Sequence, residues 1–439
     1  MNGEQRTANS EHVDEAEGDG MAEVTGSGGS ALAGIRVLDI GGSVATGYCG
    51  KLFADHGATV IDVEPPGGFA TRRLPPHLPG AAPAEASALH RWLSAGKRSV
   101  QADLTTVPGR AALRRLAQGA QVLLHDYQHD ELDALGASLP ALTAIAPDLV
   151  LSAITWFGQD GPYANHAGSD GIVQSLAGMV RGIGLPGEPP LLPTGYQAQV
   201  IGGLSAFIGT LAQVIARELG NASGTEQLDT SILEANLCFT EVAGVSGHVL
   251  ARDGLDVPGP RLGVNRFPPT YPLGVFPCRD GWIGITVLTP SQWHAFCDLL
   301  GFPELAHVPA YQTALGRMAA SAELEAVYVP RLLEWSANEL FNVAQARRIP
   351  LALVPTMEEL FGVDQYAARG AFAPILHADA ATLQGPVTPF RLYATPARSG
   401  PAPVLGEHNE LELGEHNELE LGEHNEEEFG ADDTTGGAR

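Results

Sequence analysis

From residue 35 the chain alternates short, continuously apolar, β-branched runs with longer stretches in which apolar residues recur every three or four positions. IRVLDI (35–40) reads as a buried strand, VATGYCGKLFADHG (44–57) as a helix and TVIDVE (59–64) as a second strand. RSVQADL (98–104), RAALRRLAQGA (110–120), QVLLHDY (121–127) and LVLSAIT (149–155) continue the alternation. This order predicts an α/β fold, a parallel sheet with crossover helices on its faces. The segment 199–219, QVIGGLSAFIGTLAQVIAREL, has the length of a membrane span. Gln213 interrupts it, Arg217 and Glu218 end it and nothing basic flanks its start, so a buried helix is expected.

After Gly224 the texture changes. A helical run near LEANLCFTEVAG leads into the Pro-rich PGPRLGVNRFPPTYP (258–272), then into LGVFPCRDGWIGITVL, where Arg279, Asp280 and Gly281 mark a hairpin turn. Helical pattern returns from Ser291 to about Arg348. The expected partition is a disordered acidic leader (1–31), a large domain (32–225 and 355–404), a smaller α+β domain (226–354) and an acidic tail (405–439). That tail repeats an octad: LGEHNELE at 405 and 413, LGEHNEEE at 421. The period matches no helical or solenoid unit, so the tail is expected to be largely disordered. Its His408, His416 and His424 read either as exposed side chains or as metal ligands.

With 439 residues, two or three domains are expected. The net charge of -26 is concentrated at the ends. Seven acids and one base fall in residues 1–31, twelve acids and one base in 405–439, and 32 acids face 23 bases between them. Such a balance argues against a nucleic-acid partner. The leader has no apolar run and fails as a signal peptide. Four cysteines, at 49, 238, 278 and 297, have no paired spacing, so neither a disulfide framework nor a zinc site is expected and a reducing cytoplasm is the natural location.

Three stretches carry candidate chemistry. GGSVATG (41–47) follows the first strand, with Glu64 ending the next, as at the start of a dinucleotide site. Its glycine spacing departs from G-x-G-x-x-G, which leaves a packing turn as the other reading. WFGQDGPYANHAGSD (156–170) can fold over the carboxyl edge of a parallel sheet, and Asp170 then either caps the helix that follows or serves an active site. AGKRSV (95–100), with Arg72 and Arg73 upstream, offers cations to phosphates or simply a solvated surface.

Together these stretches resemble the family III coenzyme A transferases, which include formyl-CoA and carnitine-CoA transferases and the related α-methylacyl-CoA racemases. The resemblance runs from about Leu32 to Glu410 through IRVLDIGG, ADHGATVIDVEPPGG, AGKRSVQADL, FGQDGPYANHAGSD, GEPP, YPLGVFPCRDGWIGI and PAPVLGEHNE. It implies a Rossmann-like large domain, a small domain and two chains interlocked as a dimer. It implies no permanently bound cofactor, an acyl-CoA and a carboxylic acid as substrates, and CoA phosphates held by Lys97, Arg98, Arg72 and Arg73. It also implies a nucleophilic carboxylate that passes through an anhydride and a thioester. The resemblance places that Asp in a G-x-x-D-G-P-P-like loop, where this chain has Gly187 with Glu188 beside it. Glu188 and Asp170 are therefore the candidate catalytic carboxylates. Gln128 stands where the family often has a phosphate-binding Arg, and Thr143 falls near the position of the racemase His, which favours transfer over racemisation. A non-catalytic or partner-dependent subunit and a nucleotide-dependent oxidoreductase are the competing readings.

Overall fold

The computed structural model describes residues 29–238, 263–266, 270–379 and 383–414. The leader through residue 28, much of the Pro-rich stretch and the repeat beyond residue 414 lie outside the described residues. The large unit runs β1 (Arg36–Asp39), α1 (Val44–Asp55), β2 (Thr59–Glu64), α2 (Ala88–Ser94), β3 (Arg98–Gln101), α3 (Val107–Ala117) and β4 (Val122–His125). It continues through α4 (His129–Ala134), α5 (Leu139–Ile145), β5 (Val150–Thr155), α6 (Asp170–Leu176), α7 (Gln197–Glu218), β6 (Glu226–Ser231) and α8 (Ile232–Leu237).

The six strands form one sheet in the order β3-β2-β1-β4-β5-β6, every pair parallel. Successive strand side chains point to opposite faces. Val37, Val60, Val122 and Val150 therefore pack on α1 and α7, while Leu38, Ile61, Leu123 and Leu151 pack on α3 and α5. Both faces are covered, which explains why adjacent positions such as Val37 and Leu38, Val60 and Ile61, or Val122 and Leu123 are both apolar rather than alternating with polar residues. Strand order reverses between β1 and β4, and in open α/β sheets the crevice outside the carboxyl ends at such a point is where ligands bind.

The apolar segment near 199–219 is α7, a helix half-buried in the protein. Phe207 meets Phe53 of α1 edge-on at 4.8 Å between ring centres, and Thr210 donates to Ser152 of β5 at 3.0 Å. By length and composition it is long and apolar enough to cross a membrane; here Ala198, Ala206 and Val214 bury one face in the core.

The structure moves one expected boundary. Residues 226–231 are not the start of the small domain; they form β6 and pair with β5 from Val150↔Glu226 to Thr155↔Ser231. The small unit is built on β7 (Leu273–Pro277) and β8 (Trp282–Thr286), antiparallel around the expected turn, with β9 (Leu351–Leu353) beside β8. Helices between Pro290 and Ala346 cover this sheet around Trp293, Phe296, Tyr328 and Leu340. The chain then returns through β10 (Phe372–Ile375) and β11 (Leu383–Pro386), where Ile375 and Ala402 pack on Ala95.

The first octad is ordered, contrary to expectation. Residues 405–413 lie against β3, and Leu413 is buried in the sheet's core. Unpaired edge strands expose a row of backbone donors and acceptors, and this segment satisfies the row at β3.

Candidate active site

The turn after β1 is shaped by its small residues. A Cβ on Gly41 would stand 2.7 Å from the Thr46 methyl, so glycine is needed where the chain folds back onto α1. Ser43 caps α1 by accepting from the Thr46 amide. From the end of β4, Asp126 Oδ2 accepts from the amides of Gly42 (3.1 Å) and Ser43 (3.0 Å), tying the turn to the neighbouring strand across the switch point.

Above β4 and β5 the 156–170 loop borders an open cavity of about 460 Å³ lined in part by Asp126, Gln128, Thr155, Trp156 and His166. Gln128 donates to the carbonyls of Ala164 (2.8 Å) and Gly158 (3.4 Å), so it fixes this loop. At Gly168 the chain crosses Trp156 so closely that a Cβ would sit 2.1 Å from the indole. This crossing sets where α6 begins, with Ser169 as its cap and Asp170 as its first residue.

Asp170 is half-buried. Its Oδ2 accepts from Gln199 Nε2 at 2.8 Å and its Oδ1 from the Gln199 amide at 3.2 Å. The carbonyl of that same Gln199 side chain accepts from the Val44 amide at 3.1 Å, at the start of α1. One side chain thus orients the Asp170 carboxylate against the turn that follows β1. Among the described residues Asp170 makes no ion pair, so its oxygens are aligned by amides without being neutralised by a cation.

Glu188 is placed differently. It lies exposed in the 184–192 loop, its amide donating to Leu185 O at 3.3 Å. Gly187 adopts φ +77° with no other group within 4 Å of where its Cβ would be. The position at which the resemblance looks for an Asp is a left-handed turn in open space, a conformation that glycine adopts freely.

The four cations expected to meet CoA phosphates are mostly committed to the protein itself. Arg72 is fully buried and grips Glu64 bidentately (Nε–Oε2 2.7 Å, Nη2–Oε1 2.7 Å) while reaching Glu85 at 3.0 Å. Lys97 is buried between Asp62 (3.0 Å) and Asp39 (3.6 Å). Arg98 pairs with Glu412, and only Arg73 is exposed, donating to Gly67 O. Phosphate binding by Arg72 or Lys97 is therefore corrected: both cations are buried against carboxylates of the protein and do not face a ligand in solvent. The same geometry removes the dinucleotide reading of Glu64. Held by Arg72, Ser99 Oγ at 2.6 Å and the Phe69 amide at 3.0 Å, its carboxylate is closed to a ribose.

Under the site, burial pushes the Asp39 carboxyl up to about 7, Lys97 working against the rise and Asp62 and Asp126 adding to it. Burial likewise raises Asp62 to about 6, again opposed by Lys97. Arg72 and Ser99 hold Glu64 below its ordinary value even though desolvation, the largest influence, acts the other way. Thr143 lies on α5 and donates to Leu139 O at 2.8 Å, so no acid or base stands there for racemisation. A second cavity, about 520 Å³, lies among Lys51, Trp92, Phe390 and Arg398, at the other end of α1 from Ser43. No cluster that could hold a metal occurs among the described residues.

Sequence reasoning found Asp170 but missed Asp126 and Gln199. Gln199 carried a readable signal, an amide in the first turn of a largely apolar helix. Asp126 carried another, an acid one residue past a buried strand at the expected ligand-binding edge.

A family model described as CoA-transferase family III matches residues 32–409. Succinate–glutarate CoA-transferase from Agrobacterium fabrum is 31% identical over 386 residues, covering 86% of this chain and 93% of that protein. Succinyl-CoA–D-citramalate CoA-transferase from Chloroflexus aurantiacus is 29% identical, covering 86% and 92%. Among solved structures, a CAIB/BAIF family protein from Brucella suis superposes with a TM-score of 0.77 at 27% identity, covering 88% of this chain and 98% of that one.

Proposed function

The chain belongs to CoA-transferase family III, and we propose that it transfers CoA between an acyl-CoA and a carboxylic acid with Asp170 as the nucleophile. CoA transfer itself follows from the family and from relatives named for that reaction. The choice of Asp170 rests on one observation above all: among the described residues it makes no ion pair, and Gln199 orients its carboxylate against the turn after β1, at the carboxyl edge where the strand order reverses.

In the reaction, an Asp170 oxygen attacks the thioester carbonyl and the C–S bond breaks, giving a mixed anhydride and CoA thiolate. The thiolate then attacks the Asp170 carbonyl, forming an enzyme thioester and releasing the donor acid. The acceptor carboxylate attacks that thioester, and the returning thiolate takes the acceptor acyl group and frees Asp170. Each exchange joins two reactive acyl species, so no step must expel a poor leaving group from a stable one. Gln199 holds the carboxylate in line throughout, and Gln128 fixes the 156–170 loop through the Gly158 and Ala164 carbonyls.

A homodimer is supported by Leu204, Ile208 and Ile215 of α7 and by Leu219 at its C-cap, which form one exposed stripe at spacings of four, seven and four. A second copy of the chain is the partner that fits an apolar stripe on a core helix. A cytoplasmic location is consistent with the free thiols of Cys49, Cys238, Cys278 and Cys297.

The test is transfer by the purified chain alone. Both named relatives act on succinyl or succinate groups, so succinyl-CoA is the first donor to assay, against a panel of mono- and dicarboxylic acceptors. Turnover without any second protein is expected, and Glu188→Gln is expected to leave kcat/KM unchanged. Turnover that appears only with a second, related chain would support the partner-dependent reading instead.

A further inference from the structure

The segment that closes the β3 edge is the first of three octads, and its contacts are of a kind that the other two can reproduce. The Gly406 amide donates to Ser99 Oγ at 2.9 Å and the His408 amide to Ser99 O at 2.9 Å, while the Ser99 amide donates in turn to His408 Nδ1 at 3.4 Å. Asn409 Oδ1 accepts from the Gln101 amide at 2.8 Å. Glu412 meets Arg36 at 2.6 Å and also Arg98, and both cations hold its carboxyl below its ordinary value although burial opposes them. Leu413 is 4% exposed in the core. Gly406 adopts φ +73°, and a Cβ there would stand 2.8 Å from Gln101 Oε1, so the second octad position requires glycine.

Each of these five anchors recurs at intervals of eight. Gly414, His416, Asn417, Glu420 and Leu421 repeat them, and Gly422, His424, Asn425, Glu428 and Phe429 repeat them again. The third copy departs from the octad at one position, Glu427, which corresponds to Leu411. Leu411 is 66% exposed and is not among the five anchors. The departure therefore falls where the groove makes no demand, while the ninth position stays apolar as Leu or Phe.

We propose that the β3 edge is a peptide-binding groove selective for this octad, and that residues 413–421 of the same chain exchange with residues 405–413 as its occupant. The ligand class is a short acidic peptide with Gly, His, Asn, Glu and an apolar residue at octad positions two, four, five, eight and nine. Docking in the same chain is favoured because the tether keeps the second octad at high effective concentration beside a groove it already follows in sequence. Eight residues then loop out between Val404 and the docked octad, and loop closure grows only slowly with length.

The experiment pairs substitution of the first octad with removal of the others, and thermal unfolding is its readout. In a chain ending at residue 414, which keeps all of the described clasp, Asn409→Ala with Glu412→Ala is expected to lower Tm by about 4 °C or more. In the full chain the same pair is expected to lower Tm by less than half as much, because the second octad takes the groove. Adding N417A, E420A, N425A and E428A to the full chain should restore the whole loss. If the double variant of the short chain fails to fold, Asn409→Ala alone gives the same comparison. Equal losses with and without residues 415–439 would overturn the proposal, as would no loss in the short chain. Protection that rises with protein concentration, with a matching gain in mass by light scattering, would also overturn it, because the occupant would then be another molecule.

Discussion

Asp170→Ala is expected to reduce kcat for CoA transfer by a factor on the order of 10³ or more, the scale on which loss of a covalent nucleophile acts. Asp170→Asn should be equally inactive, since it keeps the shape of the side chain and loses only the nucleophilic carboxylate. Asp170→Glu tests geometry: its extra methylene displaces the reacting oxygen by about 1 Å, for which a loss on the order of a hundredfold is expected. The carboxylate is half-buried and makes no ion pair among the described residues, so all three variants should fold normally by circular dichroism. Activity in Asp170→Asn comparable to the parent chain would remove Asp170 from the chemistry.

The largest loss of stability is expected at Arg72. Its replacement by Ala leaves the Glu64 carboxylate buried at the end of β2, between β1 and β3, with only Ser99 and the Phe69 amide as donors among the described residues. Removing one partner of a buried ion pair costs about 3–5 kcal/mol, because the remaining charge is desolvated without compensation. Glu64→Ala added to Arg72→Ala should recover part of that loss, a coupling read directly from a double-mutant cycle in urea. Arg73→Ala, one residue along, should change stability by less than about 0.5 kcal/mol because its guanidinium is exposed. Equal losses at the two arginines would contradict the burial and pairing of Arg72.

These two residues show what a sequence discloses and what it withholds. The parallel sheet was legible because strands buried on both faces carry consecutive apolar residues, and their helices keep a separate periodicity. The position of Asp170 was legible for the same reason, since it follows a glycine-rich loop just past a buried strand. The role of Arg72 was not. In sequence it is one of two adjacent arginines, and nothing local distinguishes the side chain that turns inward to Glu64 from the one that meets solvent. Lys97 and Arg98 pose the same difficulty, because alternate strand residues face opposite ways and only the folded sheet decides which cation is enclosed. The boundary at residue 226 failed for a related reason. EQLDTS is polar because β6 lies at the sheet's edge, and polarity at an edge strand resembles the polarity of a linker. The first octad failed as well, since its partners are backbone and side-chain groups of β1 and β3 some 300 residues away in the chain.

The most direct measurement is chemical trapping of the enzyme's acyl intermediate. The full chain is incubated with succinyl-CoA in the absence of an acceptor, quenched with borohydride or hydroxylamine, digested and read by mass spectrometry. Modification of the side chain of Asp170, dependent on succinyl-CoA and absent from Asp170→Asn, is the expected result. Modification at Glu188 or Asp126 instead, or rapid transfer with no carboxylate modified, would contradict covalent catalysis by Asp170.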